Sequence, residues 1–505
     1  MNFQRSGGVL LHPTSLPGPH GIGDLGPEAH HFVDWLAEAA CRLWQVLPLG
    51  HTGYGDSPYQ CFSAFAGNPN LISPDLLESA DLLTKEDLQE PGPEAAHARA
   101  EAMVDYASSI PRKAALLEKA FQRFTDLNPV GLREEFASFR EQNAEWLEDY
   151  ALFMALKQQH GGGSWVEWPE PIRKREQPAL TEARESLAEQ TLRFTFQQFL
   201  FFQQWHALQS HVHDKDITII GDIPIFVAED SADVWAHPEL FHLDEERRST
   251  VVAGVPPDYF SPTGQRWGNP LYRWEEHRKT GYAWWIQRFH AILHMVDVVR
   301  LDHFRGFAGY WEIPAANHTA EIGRWMPGPG ADFLEAVKGS LEASSVAGDL
   351  PIIAEDLGLI TPDVVELRDN FHLPGMRILQ FGFSDPTNPF LPHHYPQHCV
   401  AYTGTHDNDT TRGWLNSASK AEKRLALKYL GSTPRNFVWE MIRAIWGSVA
   451  VYSVTPMQDL LDLGTEARMN YPSRLGGNWQ WRLGAGELTD MLASKLKELN
   501  YLYSR

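Results

Sequence analysis

The stretch His294–Phe307, HMVDVVRLDHFRGF, is the starting point for predicting the fold. It opens as a short apolar run rich in valine and then changes abruptly to Arg300, Asp302, His303 and Arg305. A near-continuous apolar run is typical of a strand that is buried on both faces of a parallel sheet. In a barrel of such strands, the chemistry takes place where a strand ends and its loop begins. The stretch therefore predicts a buried strand with functional side chains at its carboxyl end.

Arg300 and Asp302 are two positions apart, so on a strand their side chains point to the same side. A neighbouring cation stabilises the charged form of a carboxyl group and lowers its pKa. We therefore predict that Asp302 is ionised at neutral pH and is a candidate carboxylate nucleophile. The alternative for this segment is a structural Arg–Asp pair that closes the strand end.

Two further apolar segments end in the same way. Pro351–Gly358 (PIIAEDLG) leads into Glu355, and Cys399–Thr411 (CVAYTGTHDNDTT) leads into Asp407. Any one acid at a strand end can be a solvated loop residue or a helix N-cap. Three such acids in order, each after a strand of the buried type, favour a shared site that also includes Asp302.

Apolar segments alternate with helical patterns along the whole chain. Strands are predicted within Gly7–Pro17, Cys41–Leu49, Asp216–Trp235, Val296–Leu301, Ile352–Glu355, Gly375–Phe383, Val400–Thr405 and Ser448–Leu461. Eight β/α units in alternation predict an α/β protein with the (β/α)8 architecture of a TIM barrel. A doubly wound sheet is the alternative.

The segment 73–213 has a different character, because helical patterns dominate it and no catalytic signature appears. We interpret it as a helical insertion subdomain between strands two and three. Residues 1–72 then form the first part of the barrel and residues 214–505 the second. Within the second part, residues 229–290 are expected to form a loop insertion over the active site.

Two loops rich in Gly and Pro present aromatic and polar side chains. The first, around HTGYGDSPYQ, carries Tyr54 and Tyr59, and a well-packed loop over the barrel mouth is the alternative for it. The second, Val251–Tyr272, resembles a mobile sugar-binding flap, with a rigid surface loop as the alternative. Its candidate binding residues are Asp258, Tyr259, Phe260, Gln265, Trp267 and Asn269.

Charge and cysteine usage exclude several classes of partner. The formal net charge of −22 argues against nucleic acid and anionic membrane surfaces. No apolar stretch is long enough to span a membrane, and no signal peptide is visible. Cys41, Cys61 and Cys399 are scattered and odd in number, so we expect reduced thiols in a cytoplasmic protein.

Two short motifs invite other functions. The GxGxxG at Gly21–Gly26 is separated from the preceding strand by prolines, and no acidic residue closes the next strand, so a dinucleotide site is rejected. The histidines of HHYPQH (His393–His398) lack the regular spacing of metal ligands, and a structural or surface role is favoured.

Taken together, the motifs resemble the amylomaltases, which are bacterial 4-alpha-glucanotransferases of the glycoside hydrolase 77 type. The resemblance spans Gly7 to Arg482 and is carried by LDHFRGF, AEDLG, THDN, GYGDSPYQ, GDIPIFVA, PPDYFSPTGQRWGNP, PMQDLL, ARMNYP and GNWQWR. It implies a (β/α)8 barrel with insertions and no C-terminal β-domain, and it implies neither a cofactor nor a metal. One departure is Ser473, where the family pattern has Gly.

The resemblance also implies residue roles by motif position. Asp302 would be the nucleophile, Glu355 the general acid/base, and Asp407 the residue that stabilises the distorted transition state through sugar hydroxyls. The substrate-binding positions that it implies are Tyr59, Asp222, Asp258, Phe260, Gln265, Trp267, Asn269, Arg300, His303 and His406, with Tyr54 at a second, outer glucan site.

The implied reaction cleaves an α-1,4 bond in a maltooligosaccharide or in amylose and passes the glycosyl piece to the 4-OH of another glucan or of glucose. Retaining enzymes place two carboxyls about 5–5.5 Å apart, and one of them attacks to form a covalent glycosyl-enzyme. The two carboxyls must differ in pKa. Glu355 follows an apolar strand without an adjacent cation, so we predict that its pKa is raised, in contrast to that of Asp302.

Two other functions stay open at this point. An α-glucan hydrolase would use water in place of the sugar acceptor. A catalytically silent glucan-binding protein on the same fold is disfavoured, because all three acids are present. We expect a monomer.

Overall fold

Eight parallel strands close into a barrel, which confirms the predicted (β/α)8 fold. The structure is a computed structural model, and it describes residues 3–89, 103–257, 261–343, 349–472, 474 and 476–505. Its strands are β1 (Ser6–Leu10), β2 (Leu43–Gln45), β3 (Thr218–Ile223), β4 (Val251–Val255), β5 (Gln265–Pro270), β6 (Val298–Leu301), β7 (Gly309–Pro314), β8 (Arg324–Pro327), β9 (Ile352–Ala354), β10 (Gly375–Ile378), β11 (Cys399–Tyr402) and β12 (Tyr452–Pro456). The order around the barrel is β1-β12-β11-β10-β9-β6-β3-β2.

The barrel is filled by side chains from alternate positions of its strands, as expected for a sheet closed on itself. This interior cluster comprises Leu10, Leu43, Ile220, Val298, Ile353, Met376, Ile378, Val400, Tyr402, Val451, Tyr452 and Val454. A polar contact also lies within this cluster: the Tyr402 hydroxyl donates to Gln45 Oε1 at 2.9 Å. The strands are therefore buried on both faces, which is why they are apolar runs in the sequence.

Helices surround the barrel. They are α1 (Pro27–Glu38), α2 (Pro74–Ser79), α3 (Lys85–Gln89), α4 (Tyr106–Leu127), α5 (Val130–Gln142), α6 (Ala144–Gln159), α7 (Glu170–Arg173), α8 (Gln177–Ser186), α9 (Ala188–Asp214), α10 (Ala232–Ala236), α11 (Trp274–Lys279), α12 (Ala283–Met295), α13 (Gly330–Ala343), α14 (Pro362–Asn370), α15 (Thr411–Ser417), α16 (Lys420–Leu430), α17 (Phe437–Trp446), α18 (Met457–Leu460) and α19 (Asp490–Leu502). Helices α2 to α9 lie between β2 and β3, where the helical insertion was predicted. None of the helices in the described part of the chain has the length and apolar content needed to span a bilayer.

The segment expected to be a loop insertion contains regular structure. Strands β4 and β5 pair antiparallel and join β7 and β8 in a four-stranded sheet of order β5-β4-β7-β8. The expectation of a loop was wrong for β4 and β5, because their Gly and Pro content hides the strand pattern. Gly254 belongs to the pairing itself: a Cβ at this position would lie 2.2 Å from the Gln265 carbonyl oxygen. This sheet carries Gln265 and Trp267.

Candidate active site

The three predicted acids lie at the carboxyl ends of barrel strands. Asp302 directly follows β6, Glu355 directly follows β9, and Asp407 lies in the loop after β11. Strands β6 and β9 are neighbours, and their loops are tied together because the Phe304 N–H donates to the Glu355 carbonyl oxygen at 3.2 Å. This is the end of the barrel where enzymes of this fold place their chemistry.

A buried guanidinium connects two carboxylates beneath the cleft. Arg300 Nη1 lies 2.7 Å from Asp222 Oδ2 and 2.9 Å from Asp302 Oδ1. The Tyr59 hydroxyl donates to the same oxygen of Asp222 at 2.7 Å. Burial works against the charge of Arg300, but the two carboxylates raise the pKa of the guanidinium well above its usual value. The chain thus holds a fixed positive charge next to Asp302.

Asp222 lies at the end of β3, and its side chain is fully buried. Burial raises the pKa of the Asp222 carboxyl, and the contact with Arg300 opposes this effect. Its second oxygen, Oδ1, has no hydrogen-bond partner among the described residues. The hydroxyl of Tyr59 and the guanidinium of Arg300 therefore both depend on one oxygen of Asp222.

Glu355 is held by two backbone donors. Its Oε2 accepts from the His303 N–H at 2.8 Å, and its Oε1 accepts from the Leu357 N–H at 2.9 Å. These contacts and Arg300 favour the charged form, but burial and the nearby charge of Asp302 outweigh them and raise the pKa of Glu355 to about 8. At neutral pH the Glu355 carboxyl is therefore protonated and able to act as an acid.

His303 adopts a left-handed backbone conformation with φ of 50°. Such a conformation is unfavourable for a residue with a side chain and is kept where the surroundings enforce it. Here it turns the chain between Asp302 and the short 3-10 helix Phe304–Phe307, so that the His303 N–H meets Glu355. Burial lowers the pKa of the His303 imidazole to about 3, so the ring is neutral.

Asp407 and His406 are neighbours in the loop after β11. The Asp407 side chain is 46% exposed, and its Oδ1 accepts from Asn470 Nδ2 at 2.6 Å. The ring of His406 stacks on the ring of Tyr59, with 5.2 Å between centroids and 20° between planes. Burial lowers the pKa of His406, so this ring is also neutral. The Asp407 carboxylate is therefore held on one side by Asn470 and open to solvent on the other.

A buried carboxylate that the sequence interpretation did not single out anchors the Asp407 loop. Asp459 accepts from the Thr403 hydroxyl at 2.6 Å and from the Thr411 N–H and hydroxyl at 2.7 Å each. These two threonines flank the loop 404–410. Arg468 adds a contact from outside, because its Nη2 donates to the Asp407 carbonyl oxygen at 2.6 Å. The signal in the sequence was an acid inside the apolar run PMQDLL.

Strand β5 brings two predicted residues to the cleft. The Trp267 ring meets the His303 ring edge to face, with 4.8 Å between centroids. The Trp267 indole N–H donates to Gln265 Oε1 at 3.2 Å, which fixes both side chains on one face of the strand. An aromatic ring and an amide therefore border the loop that carries Asp302.

Two predicted residues are not brought to the acids. Asn269 is buried, and its Nδ2 donates to the Val227 carbonyl oxygen at 2.9 Å. Its amide therefore binds a backbone acceptor in the loop after β3. Tyr54 is 75% exposed at the tip of the loop after β2. The predictions for Asp258, Tyr259 and Phe260, and the departure at Ser473, lie outside the described residues.

The chain is similar to known proteins over nearly its whole length. The profile of the glycoside hydrolase 77 family, described as 4-alpha-glucanotransferase, matches residues 11–488. The 4-alpha-glucanotransferase of Thermus thermophilus is 53% identical over 508 residues, which cover 99% of each chain. That of Synechocystis is 47% identical over 506 residues, 99% of this chain and 98% of the relative.

A solved structure is similar in fold as well. The amylomaltase from Streptococcus agalactiae, in complex with acarbose, matches with a TM-score of 0.94 and 41% identity, covering 99% of this chain and all of the other. Both the family profile and the relatives extend over nearly the whole sequence. The chain therefore belongs to the glycoside hydrolase 77 family of 4-alpha-glucanotransferases.

Proposed function

We propose that this enzyme transfers α-1,4-glucan segments by a retaining double displacement in which Asp302 is the nucleophile and Glu355 the acid/base. One contrast supports the assignment: Asp302 lies 2.9 Å from the Arg300 guanidinium, whereas burial and the charge of Asp302 raise the pKa of Glu355 to about 8. The cation beside Asp302 suits a nucleophile, and the raised pKa of Glu355 suits a proton donor.

In the first step, an Asp302 oxygen attacks the anomeric carbon while the glycosidic C–O bond breaks. Glu355 gives its proton to the leaving oxygen, which departs as a 4-OH, and the sugar stays on Asp302 as an ester. In the second step, the Glu355 carboxylate takes the proton of an acceptor 4-OH. That oxygen attacks the anomeric carbon, Asp302 leaves as a carboxylate, and Glu355 is protonated again.

The surrounding residues take binding roles in this proposal. Asp407 accepts hydrogen bonds from hydroxyls of the distorted sugar, because Asn470 fixes its carboxylate while nearly half of the side chain stays open. The Asp222–Arg300 pair and Tyr59 line the donor subsite. Arg300 also compensates the negative charge of Asp302 when it leaves the sugar, in a site from which water is largely excluded.

The acceptor is proposed to be a second α-1,4-glucan or glucose. Trp267 and Gln265 border the Asp302 loop and offer a flat apolar face beside a hydrogen-bonding amide. Such a surface favours a sugar over water once the cleft is occupied. The amylomaltase from Streptococcus agalactiae, which has the same fold, was solved in complex with acarbose, and this supports a carbohydrate ligand for this enzyme.

Product analysis with maltotriose alone tests the reaction. We expect longer chains and glucose to form together while the number of reducing ends stays constant, because transfer conserves them. Shorter products with rising reducing ends would instead identify a hydrolase. Absence of any reaction on maltotriose and on longer chains would favour a silent glucan-binding protein.

A second experiment tests the covalent step. A maltosyl donor with a fluoride leaving group needs no acid, so Glu355→Gln should form the ester on Asp302 but resolve it slowly. We expect the mass of the peptide that contains Asp302 to increase by one maltosyl group, and Asp302→Asn to show no increase. An inverted anomer in the product would contradict a double displacement.

That the enzyme is cytoplasmic and monomeric stays a prediction. Light scattering of the purified protein tests whether it is a monomer.

A further inference from the structure

A group of exposed apolar side chains lies outside the catalytic cleft. Trp325 on the edge strand β8 is 41% exposed, and Ile322, three residues before it, is 72% exposed. Leu359 is 67% exposed, and its carbonyl oxygen accepts from Arg305, which packs on the Trp325 ring. We call these three residues the Trp325 patch. Exposed large apolar groups that lie together mark binding surfaces more often than isolated ones do.

The orientation of the Trp325 ring is fixed. The guanidinium carbon of Arg305 lies 4.0 Å from the ring centroid, so the cation packs on the ring. The Trp311 ring, directly opposite on β7, meets it at 66° with 5.3 Å between centroids. A flat ring held by two neighbours and still partly open to solvent offers a preformed surface, which lowers the entropic cost of binding.

Arg305 also connects the patch to the catalytic loops. It lies two residues after His303, whose N–H binds Glu355. Its Nη1 donates to the carbonyl oxygen of Leu359, in the loop that begins at Glu355. Trp325 is therefore linked through Arg305 to the loop that begins at Glu355. In the proposed mechanism Glu355 protonates the leaving segment, so the side of Glu355 receives the leaving and acceptor chains.

The chemistry of the patch selects a neutral carbohydrate. Addition of a peptide strand to β8 is disfavoured, because the strand has four residues, ends in Pro327 and carries the charged Arg324, which pairs with Glu312 at 2.6 Å. The net charge of −22 disfavours anionic lipid and nucleic acid. A sugar ring, by contrast, presents a face of C–H groups that can pack on the open part of the indole.

We propose that Trp325 is an outer platform for a remote glucosyl unit of a long α-1,4-glucan on the leaving and acceptor side. The role of the platform on the leaving and acceptor side rests on the proposed function. Its ability to bind a glucan does not depend on that function. It predicts that Trp325 matters for long chains and not for maltotriose, which is too short to reach beyond the cleft.

The test compares Trp325→Phe with Trp325→Leu. Both substitutions keep an apolar side chain, and only the first keeps a flat face. Thermal unfolding of both variants checks that the proteins compared are equally folded. The control is Trp439→Leu, because Trp439 also lies under a cation, with Lys495 Nζ 3.5 Å from its centroid, but between α17 and α19. Each protein is run through gels containing soluble amylose, and kcat/KM is measured with amylose and with maltotriose.

We expect Trp325→Leu to weaken amylose binding and kcat/KM on amylose about fivefold to tenfold, the range of one aromatic contact. Maltotriose turnover, Trp325→Phe and Trp439→Leu should stay within about twofold of wild type. Equal amylose binding by the Leu and Phe variants would overturn the platform, and so would an equal loss on both substrates.

The two proposals fail in different ways. If the wild type is retarded by amylose through Trp325 but does not transfer, the proposed function fails and the platform stands. If the wild type transfers but amylose does not retard it, the platform fails and the proposed function stands.

Discussion

The guanidinium of Arg300 lies 2.7 Å from the carboxylate of Asp222, and these two residues are paired directly across strands β6 and β3. The buried Asp222 carboxylate therefore fixes the position of the guanidinium that also contacts Asp302. Because Asp222 already fixes this cation, the site needs little reorganisation when the charge on Asp302 changes during the reaction. Because the pair is buried, removal of Arg300 would leave the Asp222 carboxyl without its cation.

The assignment of the two catalytic carboxyls predicts separate losses. We expect Asp302→Asn to abolish disproportionation of maltotriose, because an amide cannot form the ester. Glu355→Gln should lower turnover by about 10²–10⁴-fold, the usual contribution of an acid or base. Both are measured as glucose release. Thermal unfolding serves as the control: near-native activity, or a loss explained by unfolding, would refute the assignment.

The raised pKa of Glu355 predicts an alkaline limb in the activity profile. The proposed acid must be protonated in the free enzyme, so kcat/KM should fall as the pH rises through about 8. A pH series with maltotriose measures this limb. If kcat/KM stays level to pH 10, Glu355 is not the acid that governs the first step.

The same group affects stability with a defined sign. The folded protein holds a proton on Glu355 up to about pH 8, whereas the unfolded chain releases it near the usual value of 4.5. The unfolded state therefore binds fewer protons in this window, and the contribution of Glu355 to the free energy of unfolding decreases as the pH rises. We expect the unfolding midpoint of Glu355→Gln to fall less than that of wild type between pH 5 and 8. Parallel slopes in denaturant titrations would contradict this expectation.

Trp267 is predicted to affect long substrates. Its ring lies edge to face against His303, so Trp267→Ala removes an apolar wall beside the Asp302 loop. We expect activity on amylose to decrease more than activity on maltotriose, measured as kcat/KM across a series of chain lengths. The same proportional loss at every length would show that Trp267 acts on the catalytic loop and not on the glucan.

Asp459 is predicted to be a positioning residue for Asp407. Asp459→Ala leaves the N–H and hydroxyl of Thr411 without their acceptor in a buried site, which should lower the free energy of unfolding by about 1–3 kcal/mol. It should also lower kcat more than it raises KM, because Asp407 shifts with its loop. Asp459→Asn keeps one acceptor oxygen and should recover part of both. Loss of stability with unchanged kcat would limit Asp459 to a structural role.

Much of the barrel could be predicted because a strand buried on two faces must be apolar along its length, and the change to charged residues marks its end. The second sheet could not be predicted from the sequence pattern. Strands β4 and β5 are stabilised by their pairing with each other and by the pairing of β4 with β7. Neighbouring acids show a similar limit. Glu355 and Asp356 are adjacent, but Asp356 accepts from the Met376 N–H at 2.7 Å and pairs with Arg368, away from the cleft.

The sequence by itself determined the eight-strand alternation, the strand ends that carry Asp302, Glu355 and Asp407, and the family resemblance, because these depend on local pattern. Only the tertiary structure decided which groups meet across the barrel. Asp222 and Arg300 are 78 positions apart and Asp407 and Asn470 are 63 apart, yet each pair lies within hydrogen-bond distance. Such contacts arise from closure of the barrel and have no counterpart in any local run of residues.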